Sequence, residues 1–348
     1  METFPIVLVG AIALALALVL PLLVKPLLRR AGVLDIPNAR SSHQTPTIRG
    51  MGITTAVALP AALLVAVFLP QGGGVAGQSR ATIIVILLAS LCAAMVGWIE
   101  DIRGLGVKVR ASLQLGIGVA ATAAMAVIDP GAQQLWWIPA GAVAVAAYIN
   151  VSNFMDGING LSGSHGLLVG GFYAYAGTVT SHTWLVYAGV AIACAFAGFL
   201  PWNLGRNKVF LGDVGAYLLG ASIAVTAMAA FLAKVPVEYI FSPVLIYLLD
   251  TFVTFLRRLL AGERWYTAHR QHVYQRLTIV GLSHLQATGF VALATIAVSV
   301  LGILAAKGNE ITQIWASVAC IAVLLAYLRS PTLFQRLLRN RDAKAGQA

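Results

Sequence analysis

Long apolar stretches without charged residues constrain this chain more than any other feature of its sequence. Residues 4–24, FPIVLVGAIALALALVLPLLV, contain no charged side chain and match the ~20 residues that an α-helix needs to cross a bilayer. Only 10% of the chain is charged, against about 25% in soluble domains. The first run has no basic preceding segment and no small-residue cleavage site before Lys25, which favours a membrane span over a signal peptide. The sequence therefore predicts a polytopic membrane protein.

Eleven apolar segments follow one another along the chain, and they predict an all-α bundle of about eleven transmembrane helices. One of them begins with Leu135, Trp136 and Trp137, which are typical of an aromatic anchor at the membrane interface. The predicted segments are 4–24, 51–69, 81–99, 111–128, 135–152, 165–180, 184–201, 214–232, 239–256, 286–306 and 312–328.

Lysine and arginine residues are distributed unevenly between the loops that connect these segments. If the N-terminus is outside, 20 of the 23 basic residues lie in the cytoplasmic loops and tail, and only Arg80, Lys234 and Lys307 lie opposite. Because basic loops are retained in the cytoplasm, this asymmetry predicts an external N-terminus and a cytoplasmic C-terminus. Topology and contacts with anionic lipid or phosphate account for the net charge of +11, so nucleic acid is not an expected partner.

The chain is expected to form a single integral membrane catalytic domain over residues 1–328, followed by a basic cytoplasmic tail over 329–348. Neither an internal repeat nor a soluble domain is evident in the sequence. Polar residues suited to chemistry collect in loops on the predicted cytoplasmic side, which places the expected active site at that face of the membrane. These loops are 25–50, 100–110, 150–164, 202–213 and 257–285.

Four acidic residues lie at predicted span ends beside glycines: Glu100, Asp101, Asp156 and Asp213. Each one alone is compatible with a solvated loop residue or, for Asp213, with a helix N-cap. Four carboxylates at one depth favour a common function. Carboxylate oxygens suit Mg²⁺, which keeps waters and substrate phosphates as its other ligands.

The first acidic cluster pairs Glu100 with Asp101 in the sequence GWIEDIRG. Adjacent carboxylates repel each other unless a positive charge lies nearby, and an ordinary charged turn is the alternative interpretation. Lys108 and Arg110 follow closely and are candidates for phosphate binding.

A second cluster, NVSNFMDGINGLSG at 150–163, places polar side chains at spacings of three residues. Residues separated by three share a helix face, and such a row at a membrane boundary is costly unless it binds something. A hydrated helix end with a glycine cap is the alternative. The row consists of Asn150, Asn153, Asp156 and Asn159.

Two further clusters complete the set. In KVFLGDVG at 208–215, Phe210 precedes Asp213 and is a candidate to stack on a base. The loop RRLLAGERWYTAHRQHVYQR at 257–276 carries five arginines and two histidines, which suits a phosphate and sugar clamp. A basic loop resting on anionic lipid is the alternative. Its candidate substrate-binding residues are Arg257, Arg258, His269, Arg270 and His272.

Metal and basic side chains that neutralise phosphate, beside carboxylates, indicate phosphoryl chemistry. The sequence contains no GxxxxGK[ST], which argues against a P-loop nucleotidase, and no HExxH, which argues against an intramembrane zinc protease.

Five ordered motifs carry a resemblance that covers the chain from about Asp35 to Ser283. They are PNARSSHQTPTIRGMGI, EDIRGLGVKVRASLQ, NVSNFMDGINGLSG, FLGDVGAYLLG, and LLDT with the following HRQH loop. Together they resemble the polyprenyl-phosphate N-acetylhexosamine-1-phosphate transferases of glycosyltransferase family 4. That family includes the phospho-muramoyl-pentapeptide transferase and the enzymes that initiate O-antigen, enterobacterial common antigen and teichoic acid.

The resemblance implies a role for each matching residue. Asp213 is similar to the principal Mg²⁺ ligand, with Asp156 close to the same site, and Asp101 is similar to the base that acts on the lipid phosphate. The resemblance implies nucleotide contacts for Phe210, which would stack on uracil, and for Asn159 near its edge, and it places Asn203 at a family asparagine and thus among the substrate-binding residues. It also implies that Arg270 and His272 shape the sugar and diphosphate site.

Three positions depart from the family pattern: Glu100 stands in its aspartate pair, Arg206 stands at a frequent proline, and Tyr274-Gln275 follows His272 in place of a histidine pair. The extra methylene of Glu100 changes its reach by roughly 1.5 Å, which a base in contact with its proton does not tolerate. Glu100 is therefore expected to support Asp101. The RSSHxxPTxRG opening resembles the branch that initiates surface polysaccharides such as O-antigen.

The resemblance implies transfer of an N-acetylhexosamine-1-phosphate from a UDP-sugar to undecaprenyl phosphate, with release of UMP. The expected cofactor is Mg²⁺, with Mn²⁺ as an alternative. The expected location is the bacterial inner membrane, and a second copy of the chain is a candidate partner. The alternative function is a transporter or flippase of a phosphorylated lipid or sugar. That class expects ionisable residues at the bilayer midplane and repeated halves, and Asp250 is the one candidate for such depth.

Overall fold

The computed structural model describes residues 3–36, 46–69, 76–128, 134–205, 209–263 and 270–345, and these residues are almost entirely helical. Each predicted apolar segment coincides with one long helix, except that 239–256 corresponds to α9, a short 3-10 turn and α10 in succession. The helices are α1 Thr3–Arg30, α2 Ile53–Phe68, α3 Ala76–Arg103, α4 Val107–Ile128, α5 Trp137–Phe154, α6 Leu161–Val179, α7 Thr183–Leu204, α8 Gly212–Leu232, α9 Val237–Phe241, α10 Leu245–Leu260, α11 Val273–Ile279, α12 His284–Lys307 and α13 Glu310–Ala345.

Within the described ranges, eight helical stretches are long and apolar enough to cross a membrane by length and composition. The α9–α10 stretch counts as one of the eight, and α2 is apolar but shorter. The predicted class, a polytopic helical membrane protein, is confirmed. The number of eleven spans and the orientation of the chain stay predictions.

Helix α8 lies at the centre of the bundle, where it packs against α3 and α5 and also contacts α2, α4, α6 and α7. Nearly all of its residues are buried, as expected for a helix that is hydrophobic on every side. Gly97 of α3 contacts the start of α8 so closely that a Cβ there would lie 2.3 Å from the carbonyl oxygen of Asp213. The first turn of α8 is therefore held by helix packing.

The segment between α1 and α2 contains two short strands that the sequence did not predict. Strands β1 (Leu34–Asp35) and β2 (Thr47–Ile48) pair antiparallel, with Leu34 opposite Ile48. Ile48 also forms a parallel bridge with Val209, just before α8. Two-residue strands are too short to produce a period-two pattern in the sequence, but here they attach the α1–α2 segment to the start of α8.

The tail predicted over 329–348 has no helix break at its start, because α13 continues from Glu310 to Ala345. The division into a domain and a tail stays a prediction.

A reporter at the C-terminus tests the predicted orientation. The basic asymmetry predicts that fluorescent protein fused after residue 348 is fluorescent and that alkaline phosphatase fused there is inactive. Active phosphatase at this position would contradict the cytoplasmic tail and the eleven-span topology.

Candidate active site

Backbone hydrogen bonds hold the α1–α2 segment against the residues that lead into α8. The amide of Phe210 donates to the carbonyl oxygen of Ile48 (2.8 Å), and the amide of Met51 donates back to the carbonyl oxygen of Phe210 (3.0 Å). The amide of Gly52 then donates to the carbonyl oxygen of Leu211 (2.8 Å). This strand-like pairing fixes the backbone on both sides of Arg49, next to the start of α8.

Asp101, near the C-terminal end of α3, caps the N-terminus of α8. Its two carboxylate oxygens accept the backbone N–H groups of Asp213 (3.1 Å) and Val214 (3.0 Å), which an N-terminal helix turn leaves without helical partners. Gly212 has a positive φ of 73°, and a Cβ at this position would lie 2.7 Å from Asp101 Oδ2. The glycine of the FLGDVG motif thus permits the cap.

The role predicted for Asp101 was that of a general base. Both oxygens of this fully buried side chain accept N–H donors: Oδ1 from Asp213 and Arg49, and Oδ2 from Val214. The structure therefore gives Asp101 a capping contact that the sequence interpretation did not include. The base role stays a prediction.

Arg49 joins the first and third acidic clusters. Its Nε lies 2.8 Å from Asp101 Oδ1 and its terminal nitrogen lies 2.8 Å from Asp213 Oδ2. The side chain of Arg49 is 37% exposed, whereas those of Asp101 and Asp213 are 0% and 12% exposed. The sequence interpretation counted Arg49 only as a topology-setting charge. Its position in the PTIRG motif, directly before a glycine, was the available signal.

Asp156 lies just after α5 and accepts a hydrogen bond from the hydroxyl of Ser162 (2.6 Å). Burial, together with the nearby charges of Asp213 and Asp101, raises the pKa of Asp156 to about 7, against the lowering effects of this hydrogen bond and of Arg49. Asp156 therefore lies close enough to Asp101 and Asp213 to interact with them electrostatically. A buried carboxyl with a pKa near neutrality becomes fully ionised when a cation approaches it.

The acidic residues are compatible with binding of Mg²⁺, for which carboxylate oxygens are suitable ligands. Among the described residues, no group of three or more His, Cys, Asp or Glu side chains is arranged to hold a metal alone. Mg²⁺ commonly uses one or two carboxylates together with substrate phosphates and water, and Asp213 and Asp156 are the candidates for these carboxylates. Their role as metal ligands stays a prediction.

Glu100 stabilises the turn between α3 and α4. Its carboxylate accepts the amide N–H of Leu105 (2.7 Å) and forms an ion pair with Arg110 (3.0 Å). Lys108 is exposed in the first turn of α4. Glu100 therefore contacts an arginine, as its supporting role would require, while phosphate binding by Lys108 and Arg110 stays a prediction.

The asparagines of the second cluster occupy different surroundings. Asn150 donates to the side-chain oxygen of Gln114 on α4 and to the carbonyl oxygen of Ala146, so it links two helices. Asn153 is half-buried in the last turn of α5. Asn159 is buried, and its carbonyl oxygen accepts the hydroxyl of Thr288 on α12 (2.9 Å).

Asn203, near the end of α7, connects two parts of the site. Its side-chain oxygen accepts the amide N–H of Gly160, and its side-chain nitrogen donates to the carbonyl oxygen of Val209 (2.8 Å). The Asn203 side chain thus connects the loop of the second cluster, at Gly160, to Val209 in the segment before α8. The side chain of Phe210, which follows Val209, is half-buried. These contacts position the loops, and direct nucleotide contacts of Asn159, Asn203 and Phe210 stay predictions.

Asp250 holds the histidine segment, which consists of His272 and the start of α11, at the end of the basic loop. Its fully buried carboxylate is 3.1 Å from Nδ1 of His272 and accepts the amide N–H of Val273 (3.0 Å). It also accepts hydroxyls from Thr254 (3.3 Å) and, on α13, Tyr327 (2.8 Å). The sequence interpretation placed Asp250 in the LLDT motif and considered it as the one candidate for a midplane charge, but it gave Asp250 no contact with His272. The structure shows that it holds His272 and α11 in place.

The histidine segment also contacts the Asn-rich loop. The His272 ring stacks beside Phe154 with 6.4 Å between centroids, and the hydroxyl of Tyr274 donates to the carbonyl oxygen of Phe154 (2.9 Å). A Cβ at Gly157 would lie 2.2 Å from that hydroxyl oxygen. The DG step of the second motif therefore makes room for Tyr274, one of the departures from the family pattern.

The remaining basic candidates differ in exposure. Arg257 is exposed, Arg258 is buried and paired with Glu263 (3.2 Å), and Arg270 is half-buried. His269 lies outside the described residues. The structure therefore brings His272 to the side of the second cluster, and a phosphate and sugar clamp formed by the arginines stays a prediction.

Comparison with known proteins shows which class of protein this chain resembles. The model of glycosyl transferase family 4 matches residues 83–231, the range that contains Asp101, Asp156 and Asp213. The chain is similar to this family over that range.

Three relatives indicate the part of the family to which the chain is similar. It is 27% identical over 303 residues to the decaprenyl-phosphate N-acetylglucosaminephosphotransferase of Mycobacterium tuberculosis, covering 75% of this chain and 72% of the relative. It is 24% identical over 338 residues to the probable undecaprenyl-phosphate N-acetylglucosaminyl 1-phosphate transferase of Bacillus subtilis, covering 93% and 90%. It is 25% identical over 325 residues to the undecaprenyl-phosphate alpha-N-acetylglucosaminyl 1-phosphate transferase of Escherichia coli, covering 86% and 83%.

Proposed function

We propose that this protein transfers an N-acetylhexosamine-1-phosphate from a UDP-sugar to undecaprenyl phosphate. The observation that carries the proposal is the meeting of Asp101, Asp156, Asp213 and Arg49 at one end of an apolar helical bundle. Charged groups of both signs at the end of membrane-spanning helices suit two phosphate-bearing substrates, one soluble and one anchored in lipid. The names of the similar enzymes support a polyprenyl-phosphate acceptor and an N-acetylglucosamine donor.

An apolar cleft offers a place for the lipid tail. A cavity of about 380 Å³ lies between α5, α8 and the α9–α10 stretch, and its walls are almost entirely apolar. Along α5 it extends from Tyr148 towards Trp137, away from Asp156. In this proposal, part of the polyprenyl chain occupies the cleft while its phosphate reaches the acidic end of the bundle.

The proposed reaction is a direct displacement at phosphorus. An oxygen of the lipid phosphate forms a bond to the β-phosphorus of the UDP-sugar. The bond from that phosphorus to the oxygen bridging to the α-phosphate breaks, and UMP leaves with the electron pair. Asp213 and Asp156 would hold Mg²⁺, which when bound neutralises diphosphate charge. Phe210 and Asn159 would contact uracil, and Arg270 and His272 would contact the sugar and diphosphate.

The transporter alternative is weakened by the surroundings of Asp250. A transport site at the midplane needs an ionisable residue that substrate or ions can reach. Asp250 is fully buried, and its carboxylate is occupied by the ring nitrogen of His272, the amide of Val273 and the hydroxyls of Thr254 and Tyr327. These contacts support a positioning role for Asp250.

The purified protein in detergent or nanodiscs, supplied with Mg²⁺, undecaprenyl phosphate and each of several UDP-N-acetylhexosamines, tests the proposal. We expect UMP release that requires the lipid and at least one UDP-sugar, together with a polyprenyl-diphospho-sugar detected by mass spectrometry. EDTA should stop the reaction, and Mn²⁺ should restore part of it. Lipid-independent UMP release, or movement of intact lipid without UMP release, would contradict the proposed transfer. The surface polysaccharide branch and the inner membrane location rest on the same proposal.

A further inference from the structure

Arg49 occupies the position between two carboxylates that a cation would neutralise. Its guanidinium bridges Asp101 Oδ1 and Asp213 Oδ2 at 2.8 Å each. The backbone behind it is fixed, since its own amide donates to the carbonyl oxygen of Val33 (3.2 Å) and the following Met51 is paired with Phe210. The side chain, in contrast, is 37% exposed, so the long arm of Arg49 can move without displacing its backbone.

The contacts of Asp101 and Asp213 differ, and the difference indicates which of its two partners the Arg49 side chain would release. Asp101 is retained by two backbone N–H donors of α8 as well as by Arg49. The carboxylate of Asp213 has Arg49 as its ion-pair partner among the described residues. Release of the Asp213 contact would therefore leave Asp101 satisfied and would open one oxygen of Asp213.

We propose that Arg49 is a resident counter-ion that couples binding of the divalent cation to binding of the UDP diphosphate. This inference rests on the proposed function. A divalent cation bound to Asp213 Oδ2 must displace the Arg49 guanidinium, because both would occupy the same side of this oxygen. The cation and the guanidinium are both positive and repel each other there. A diphosphate removes the conflict, because the released guanidinium gains an anionic partner with matching bidentate geometry. Cation and nucleotide thus bind well together, and Arg49 opposes the cation when it binds alone.

A purely structural ion pair predicts different behaviour. A partly exposed salt bridge contributes little to stability, and its loss would weaken both the cation site and the nucleotide site through distortion. The coupling role predicts effects of opposite sign. Removing the positive charge strengthens binding of the cation alone and weakens binding of UDP to the cation-loaded protein.

Binding of Mn²⁺, followed by electron paramagnetic resonance of the free ion, tests this directly. In the intact protein, we expect UDP to increase Mn²⁺ affinity. In Arg49→Gln, we expect Mn²⁺ alone to bind about 10-fold more tightly than in the intact protein, with the UDP effect largely lost. Arg49→Lys keeps the charge and should oppose Mn²⁺ as the intact protein does. Arg30→Gln, at the exposed end of α1, is the matched control and should bind Mn²⁺ normally.

The outcomes separate this inference from the proposed function. Mn²⁺ binding without UDP that is unchanged or weaker in Arg49→Gln would overturn the counter-ion role, and Arg49→Lys decides the same point if the glutamine variant does not fold. If Asp213→Asn leaves Mn²⁺ binding unchanged, both in the otherwise intact protein and in the Arg49 variants, Asp213 does not bind the metal and the metal site is removed from the proposed function.

Discussion

Asp213→Asn should reduce Mg²⁺-dependent UMP release by more than about 100-fold while the protein stays folded. Loss of a group that only orients a metal ligand typically costs 10–100-fold in metal affinity or activity, and Asp213 is proposed to contact the metal itself. The amide has the same shape as the carboxylate, and the cap of α8 uses the backbone amide of residue 213. The change therefore removes charge at the site and leaves the helix start in place. The measurement is UMP release across a Mg²⁺ titration, with thermal unfolding in parallel.

The matched control for Asp213 is Glu310→Gln, an acid-to-amide change at an exposed position at the start of α13. This variant should retain normal activity. Near-normal UMP release by Asp213→Asn would remove Asp213 from the catalytic site, whatever the control shows.

Asp101→Asn should lower both activity and stability, and it should do so at every pH tested. One oxygen becomes an NH₂ group that faces a backbone N–H of α8, so a charge-assisted hydrogen bond is lost and a buried donor is left unsatisfied. Each hydrogen bond to a charged group contributes about 1.5–3 kcal/mol. We expect a clear fall in the midpoint of thermal unfolding together with nearly complete loss of UMP release.

The pH profile distinguishes capping by Asp101 from the base role. A lipid phosphate becomes more ionised as pH rises through about 6, so a variant lacking only a base should recover part of its activity at higher pH. A variant lacking the helix cap should not. Unchanged thermal stability with recovery at high pH would support the base role. Glu100→Gln, which can still accept from Leu105, should be impaired but measurable.

Hydropathy was sufficient to locate the helices because it depends on local composition. Uncharged runs must be helical in a membrane, since each backbone polar group needs a partner within its own segment. The same argument placed Asp101, Asp156 and Asp213 at the ends of helices. The structure then showed that Arg49 joins Asp101 at the end of α3 to Asp213 at the start of α8.

Long-range pairs could not be predicted in the same way. Arg49 and Asp213 are 164 residues apart, and neither local pattern indicates the other. Asp250 is 22 residues from His272 and 77 residues from Tyr327, so its isolated charge in an apolar run resembled a transport residue. Hydrophobic periodicity reports which face of a segment is buried, but it does not specify the partner of a buried polar group.

The hydrogen bond from Tyr327 to Asp250 attaches α13 to the carboxylate that holds His272, so α13 is more than an interchangeable membrane anchor. In a hybrid protein, α13 could be replaced by the same helix of a relative that lacks this hydroxyl. The buried carboxylate of Asp250 would then lose one hydrogen-bond donor, which would lower the free energy of unfolding by about 1–3 kcal/mol. The same carboxylate holds the ring of His272. Replacing α13 would therefore also alter the position of His272. Helices α10, α11 and α13 should be exchanged together when hybrids of such proteins are made.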